Sequence, residues 1–220
     1  MSFEVYSTNC LDYWVMIGDT PAEIEEAYAR VTRTVSLMLE YGLGFWQCKL
    51  RDHIQEELLN VAREVFHWLK QGDWRFDANF WPDPAAMIKE LQEMKIELTV
   101  SIWHTVDTRS ESFAEMLEQG LLIRTDRGIR IGMDFEGNAI HYDATNPTAR
   151  KYLWEKAKVN YHSKGIKVFG LDEAELEYTA YDYDSYRYHL SSNLAIRNIY
   201  PREYARAFYK GMEASGQENI

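Results

Sequence analysis

The stretch "TNPTARKYLWEKAKVNYHSKGIKVFGLD", residues 145–172, decides the fold class. Asn146 followed by Pro147 marks a helix start, because a short polar side chain can cap free N–H groups and Pro fits the first turn. The helix closes near Gly165, a residue that accepts the left-handed conformation common at helix ends. Directly behind it "IKVFGLD" reads as a buried strand stopping at Asp172. The same order occurs upstream, where Asp83 and Pro84 open the helix "AAMIKELQEM" and lead into the strand "IELTVSIW". Helices alternating with strands imply parallel pairing through right-handed crossovers, so the expected class is α/β.

Working outward, "GDTPAEIEEAYARVTRTVSLML" begins a helix with Thr20 as cap, Pro21 in the first turn and Glu23 completing a capping box. Residues 43–48 read as a short buried strand. A helix over 54–70 places Leu58, Val61, Ala62, Val65 and Leu69 on one stripe. No apolar strand separates it from the helix at Pro84, so either the loop "GDWRFDANFW" replaces one or a strand is missing. "SFAEMLEQG" is a short helix stopped by Gly120, and "LLIRTDRGIRIGMDFEGNAIHYD" reads as a hairpin insert near 121–143. "YDYDSYRY" reads as a tyrosine-lined helix start, and "PREYARAFYKGMEA" closes the sequence as an amphipathic helix. The division expected is an N-terminal segment and helix, 1–40, followed by an α/β unit, 41–220.

Composition removes several classes of function. With 24 Lys and Arg against 35 Asp and Glu, the net charge of −11 opposes a partner held by phosphate neutralisation, so no nucleic acid is expected. Two cysteines, Cys10 and Cys48, are too few for a disulfide framework and suit a reducing compartment, pointing to the cytoplasm. "MSFEVYSTNC" has neither the basic nor the apolar part of a signal peptide, and no run of about 18 apolar residues could span a bilayer. The six histidines, His104 and His141 among them, lack ligand spacing and read as surface or core residues, so no metal is expected. Without a GxGxxG or P-loop motif, no cofactor is expected either. Fifteen Tyr and seven Trp exceed what a plain core needs and suit a surface that stacks on flat ligands such as sugar rings.

"VFGLDEAELEY" turns from apolar to a cluster of four carboxylates, Asp172, Glu173, Glu175 and Glu177. In barrels and open α/β sheets, functional groups gather beyond the carboxyl ends of strands, and crowded like charges drive pKa values apart. Asp172 is therefore either a working carboxylate or simply a solvated strand end. Trp103 and Asp107, in "SIWHTVD", could offer a stacking face and a hydroxyl acceptor, or could be a core indole and a helix-capping loop carboxylate. Trp46 and Gln47 carry the same ambiguity.

Several segments together resemble the catalytic barrel of glycoside hydrolase family 31, the α-glucosidase and α-xylosidase family. They are "GLGFWQCKLR", "QEELLNVARE", "GDWRFDANFWPDPAAMIKELQEMKIELTVSIW", "TNPTARKYLWEKAKVNY" and "GIKVFGLDEAELEY", the last similar to the "LDEAEPEY" signature of an α-xylosidase-like branch. The resemblance implies a partial (β/α)8 TIM barrel and retaining hydrolysis of α-xylosides or α-glucosides. It makes Asp172 the nucleophile, Glu175 a companion carboxylate, and Trp46 and Trp103 linings of a sugar subsite.

Departures qualify that expectation. The family's second barrel strand, with an Asp that binds a sugar hydroxyl, has no counterpart after "VARE", and the sequence ends at "GQENI" before the family's general acid/base. Gly170 stands where the family usually has a bulky aromatic, opening the sugar subsite; His104 and Leu176 stand where it has Pro. The isolated chain is expected to be weakly active or inactive. The alternative is a non-catalytic barrel fragment that at most binds carbohydrate or self-associates through open sheet edges.

Overall fold

The computed structural model describes residues 10, 13–34, 40–44, 46, 71–125, 139–175 and 183–217. The expected helix over 54–70, Gln47, Cys48, the hairpin tip within 126–138, Leu176 and Glu177 lie outside the described residues.

Helix α1 (Pro21–Val31) starts as its sequence dictates: Thr20 Oγ1 accepts the Glu23 N–H at 3.3 Å, and the Glu23 carboxylate reaches back to the Asp19 N–H at 2.8 Å. None of its side chains is buried, and it is tied to the rest through Arg33, whose guanidinium donates to the Tyr209 hydroxyl at 2.9 Å. The strand expected from residue 43 begins differently. Glu40–Leu43 is a 3-10 turn, and Leu43 is 78% exposed. Glycines on both sides of Leu43 weaken an extended strand, and the Trp46 indole N–H closes locally onto the Gly42 carbonyl at 2.9 Å.

Helix α2 (Pro84–Glu93) is capped by Asp83, which accepts the Ala86 N–H at 2.9 Å, and it buries Met87, Ile88 and Leu91. Strand β1 (Thr99–Trp103) follows and breaks at His104, after which β2 (Thr105–Asp107) forms a separate element. The continuous strand through Asp107 read from the sequence is thus two. The break has a physical cause: His104 is buried, its carbonyl takes the Tyr142 N–H at 3.0 Å, and β2 turns to pair antiparallel with β4 (Ala139–His141). Between them lie helix α3 (Phe113–Glu118) and β3 (Arg124–Thr125). Leu121–Ile123 and His141–Asp143 run antiparallel, joined by the Ile123 N–H to His141 carbonyl and Asp143 N–H to Leu121 carbonyl bonds.

Helix α4 (Pro147–Asn160) is capped by Asn146, which accepts the Thr148 N–H at 2.9 Å. Gly165, at φ +109, turns the chain into β5 (Val168–Asp172). Strand β5 pairs parallel with β1, Trp103 facing Asp172 in register. The segment read as a tyrosine-lined helix start holds a single 3-10 turn, Tyr183–Ser185, and then passes into β6 (Tyr186–Arg187), antiparallel to β3. Helix α5 (Asn193–Ile196) and helix α6 (Tyr200–Ala214) complete the described residues.

Side chains alternate across a strand, so β1 and β5 have two unlike faces. Ile102, Phe169 and Leu171 turn toward the core, where Phe169 packs on Phe208 of α6 with ring centroids 5.1 Å apart. Helices α4 and α6 cover this side, joined by close approach at Gly211 and by Glu203, which holds Arg150 at 3.0 Å. Thr99, Ser101, Trp103, Gly170 and Asp172 share the opposite face, where Thr99, Ser101 and Asp172 are exposed. Helices outside and a parallel pair inside is the layering of an α/β barrel segment.

Candidate active site

Asp172 is the last residue of β5, its carboxylate beyond the carboxyl end of a parallel strand and exposed. Its register partner Trp103, half-buried, ends β1. Register partners in a parallel pair point the same way from strands about 4.8 Å apart, so indole and carboxylate stand side by side. Gly170 and Ser101 pair one step below on the same face. A Cβ at Gly170 would meet, among the described residues, Ser101 Cα and Thr99 Cγ2 at 3.9 Å, which is ordinary contact.

The other expected residues are placed differently. Asp107 is 6% exposed and lies on β2, where Arg109 grips both of its oxygens, Nε to Oδ1 at 2.9 Å and Nη2 to Oδ2 at 2.6 Å. A sugar hydroxyl there would compete with a two-pronged charged donor. Glu175 is exposed, and its main-chain carbonyl accepts from Arg197 at 3.0 Å. Trp46 is 59% exposed and sits beyond the 3-10 turn, its indole N–H on the Gly42 carbonyl.

Two residues not singled out by sequence reasoning, Trp74 and Tyr204, support the pair, and Glu173, named from sequence only as one of a carboxylate cluster, adds a main-chain contact. Trp74, buried at φ +42, donates its indole N–H to the Trp103 carbonyl at 3.1 Å. It comes from the loop "GDWRFDANFW", which lies against β2 where the Gln71 carbonyl takes the Asp107 N–H at 2.9 Å. Tyr204 of α6 donates to the Ile102 carbonyl at 2.6 Å, and its hydroxyl pKa is pushed well up by burial and by the nearby charge of Asp172. Glu173 has φ +56 and donates its N–H to Asp172 Oδ1 at 3.1 Å. No local pattern announces any of these, because each depends on a distant chain segment or on a single backbone angle.

Behind β1, His104 and His141 are buried with rings stacked at 3° and nitrogens 2.6 Å apart. Burial pushes the His104 pKa down to about 4, opposed by the main-chain carbonyl of Asp172. It pushes His141 well down too, helped by His104. Both are therefore neutral near pH 7, which suits core residues. An open groove of about 590 Å³, lined among others by Arg75, Glu111, Tyr152 and Lys156, lies between α3 and α4 and includes none of the expected site residues. Among the described residues no group of His, Cys, Asp and Glu could hold a metal, and no helix is long and apolar enough to cross a membrane.

A carboxylate beside an indole at the mouth of a β/α unit is chemically suited to a sugar ring. Residues 35–219 match the glycosyl hydrolases family 31 TIM-barrel domain, and the chain belongs to that family. It is 46% identical over 227 residues to a protein of Pseudescherichia vulneris called uncharacterized family 31 glucosidase ORF2, covering 97% of this chain and 43% of that protein. It is 29% identical to alpha-xylosidase A of Aspergillus niger over 95% of this chain and 33% of that one. A family 31 alpha-xylosidase from a soil metagenome, solved with xylose, superposes with TM-score 0.85 at 54% identity, over 92% of this chain and 32% of the other. The chain thus spans less than half the length of these relatives, and its fold is part of a (β/α)8 barrel.

Proposed function

We infer that this chain carries the nucleophile of a retaining α-glycosidase acting on α-xylosides or α-glucosides. The observation that carries the reading is Asp172, exposed at the carboxyl end of a parallel strand beside Trp103 in a family 31 barrel. Similarity to proteins named alpha-xylosidase favours the xyloside.

In this reading an Asp172 oxygen attacks the anomeric carbon, the bond from that carbon to the aglycone oxygen breaks, and a covalent glycosyl ester forms. The departing oxygen takes a proton from a general acid. Water then attacks the same carbon, releasing the sugar and restoring the carboxylate. Trp103 offers an apolar face to the ring, Gly170 leaves room beneath it, Trp46 lines the entrance, and Glu175 helps hold the mouth. Asp107 acts through its ion pair with Arg109. We place the N-terminal segment, 1–40, outside the barrel unit and, on its thiols, the chain in the cytoplasm.

General acid assistance is worth roughly 10²–10⁴-fold, so a substrate with a good leaving group isolates the nucleophile's step. With an activated aryl α-xyloside, the chain is expected to release a stoichiometric burst of phenol and to gain the mass of one xylosyl group. Both vanish in Asp172→Asn. A protein that gains no label and gives no burst leaves sugar binding alone as its activity.

A further inference from the structure

We propose that His104 is a positioning residue for Asp172: a proton set on its Nδ1 by His141 holds the Asp172 main-chain carbonyl and so aims the strand end that carries the nucleophile. One ring comes from the break between β1 and β2, the other from the end of β4. They are parallel within 3°, with His141 Nδ1 and His104 Nε2 2.6 Å apart. Two neutral imidazoles at that distance share one proton, so one nitrogen donates and the other accepts. With Nε2 committed to His141, Nδ1 is the nitrogen left for the Asp172 carbonyl, the main-chain acceptor beside this ring.

The carbonyl selects the tautomer. If His104 gave its Nε2 proton to His141, Nδ1 would turn a lone pair toward the carbonyl oxygen, and two buried acceptors would face each other. If His141 gives, His104 accepts at Nε2 and keeps its own proton on Nδ1, directed at that oxygen. Tyr200 and Tyr204 of α6 also pack edge-on against the ring, at 5.6 and 5.9 Å, but their hydroxyl protons go to the Tyr142 and Ile102 carbonyls. Nδ1 is fully buried and, among the described residues, makes no full hydrogen bond, so its hold on the carbonyl is a loose one, of the kind that tightens as a substrate seats. The consequence falls on Asp172. Its pairing with Trp103 fixes the chain on the amino side of Cα, and the His104 contact fixes the carbonyl on the other side. Backbone N, Cα and C together determine where Cβ points, so a strand end held on both sides presents its carboxylate already aimed.

This inference rests on the nucleophile reading, and its readouts keep the two separable. Nitrogen NMR of the wild-type histidines at neutral pH is expected to show His104 protonated on Nδ1 and bare on Nε2, with His141 protonated on Nδ1. An amide in place of the ring then divides the two contacts: in His104→Asn the side-chain NH2 falls near the place of Nδ1, in His104→Gln near that of Nε2. The carbonyl carbon shift of Asp172 should stay close to wild type in the Asn variant and move upfield in the Gln variant, which lacks the donor. The burst rate with the aryl α-xyloside should follow, Asn within about threefold of wild type and Gln at least about tenfold slower, xylose affinity being unchanged in both. A merely structural role would slow the two alike. A His104 proton on Nε2 would overturn the proposal, and that measurement needs no variant to fold. So would an Asp172 carbonyl shift equal in wild type and Gln, or equal burst rates in folded Asn and Gln variants. The expected tautomer and carbonyl shift in a chain without any burst would overturn the nucleophile reading while the hold of His104 on the strand end stands.

Discussion

Gly72 shows how a single residue holds the support of the site. At φ +93 it lies where a Cβ would come within 2.8 Å of Val106 Cγ1 and 3.0 Å of the Val106 main chain. Gly72→Ala is therefore expected to lower stability by about 1–3 kcal/mol, read from the urea midpoint, since both the angle and the space oppose a side chain. Two residues on, Trp74 spends its indole N–H on the Trp103 carbonyl. Trp74→Phe removes the indole N–H together with part of the buried ring, stranding that carbonyl beside a small cavity, and should cost about 1–3 kcal/mol in the same measurement. Neither role could be read from "QGDWRF", because a turn glycine and a loop indole look alike whether or not a strand end lies above them. Asp172 was legible as a strand-end carboxylate, but its register partner Trp103, on a strand far earlier in the chain, was not.

Among elements, the caps were the most legible feature. Thr20, Asp83 and Asn146 each accept the amide expected of them, because a cap is settled within three or four residues. Strand limits were less so. β1 stops at Trp103 and β2 starts at Thr105 because His104 turns inward against a partner 37 residues away. The α4–α6 contact tests the outer layer. A Cβ on Gly211 would sit 2.1 Å from Trp154 Cδ2, so Gly211→Ala must push the helices apart, at a cost of about 1–3 kcal/mol or more. Glu203, 3% exposed, is bonded by Arg202 and Arg206 and paired with Arg150. Glu203→Gln leaves three guanidinium groups facing a neutral amide and should destabilise by about 3 kcal/mol, seen as a lower melting temperature.

For the whole molecule, stability depends on pH through the buried histidines. An unfolded His104 would titrate at its ordinary 6.5, while burial holds the folded one near 4. Between those values the unfolded chain binds more protons, so stability is full above about pH 6.5 and falls as pH drops toward 4. His104 alone accounts for about 2 kcal/mol between pH 7 and 5, and His141 acts in the same direction. Asp143, raised by burial, works in the opposite sense above its ordinary 3.8. The urea midpoint is expected to decline from pH 7 to 5, and the double variant His104→Gln, His141→Gln should flatten that decline. Among the described residues, β1 and β5 form a two-stranded sheet with both outer edges unpaired. Such edges favour association, which sedimentation would register as species heavier than a monomer at high concentration.

The sequence by itself determined the helix starts, the parallel β/α class and the placing of Asp172 at a strand end, because caps and hydrophobic runs act over a few neighbouring residues. Aromatic content did not say which rings go where: Tyr142, Tyr200 and Tyr204 are fully buried in the core, whereas Trp14 and Trp46 are exposed. Only the tertiary structure decided that Trp103 stands beside Asp172, that Trp74 and Tyr204 brace the adjoining carbonyls, and that Arg109 occupies Asp107. The first three join segments whose partners are chosen by register and packing across the whole fold, while the Arg109 contact is local and depends on the turn that follows β2.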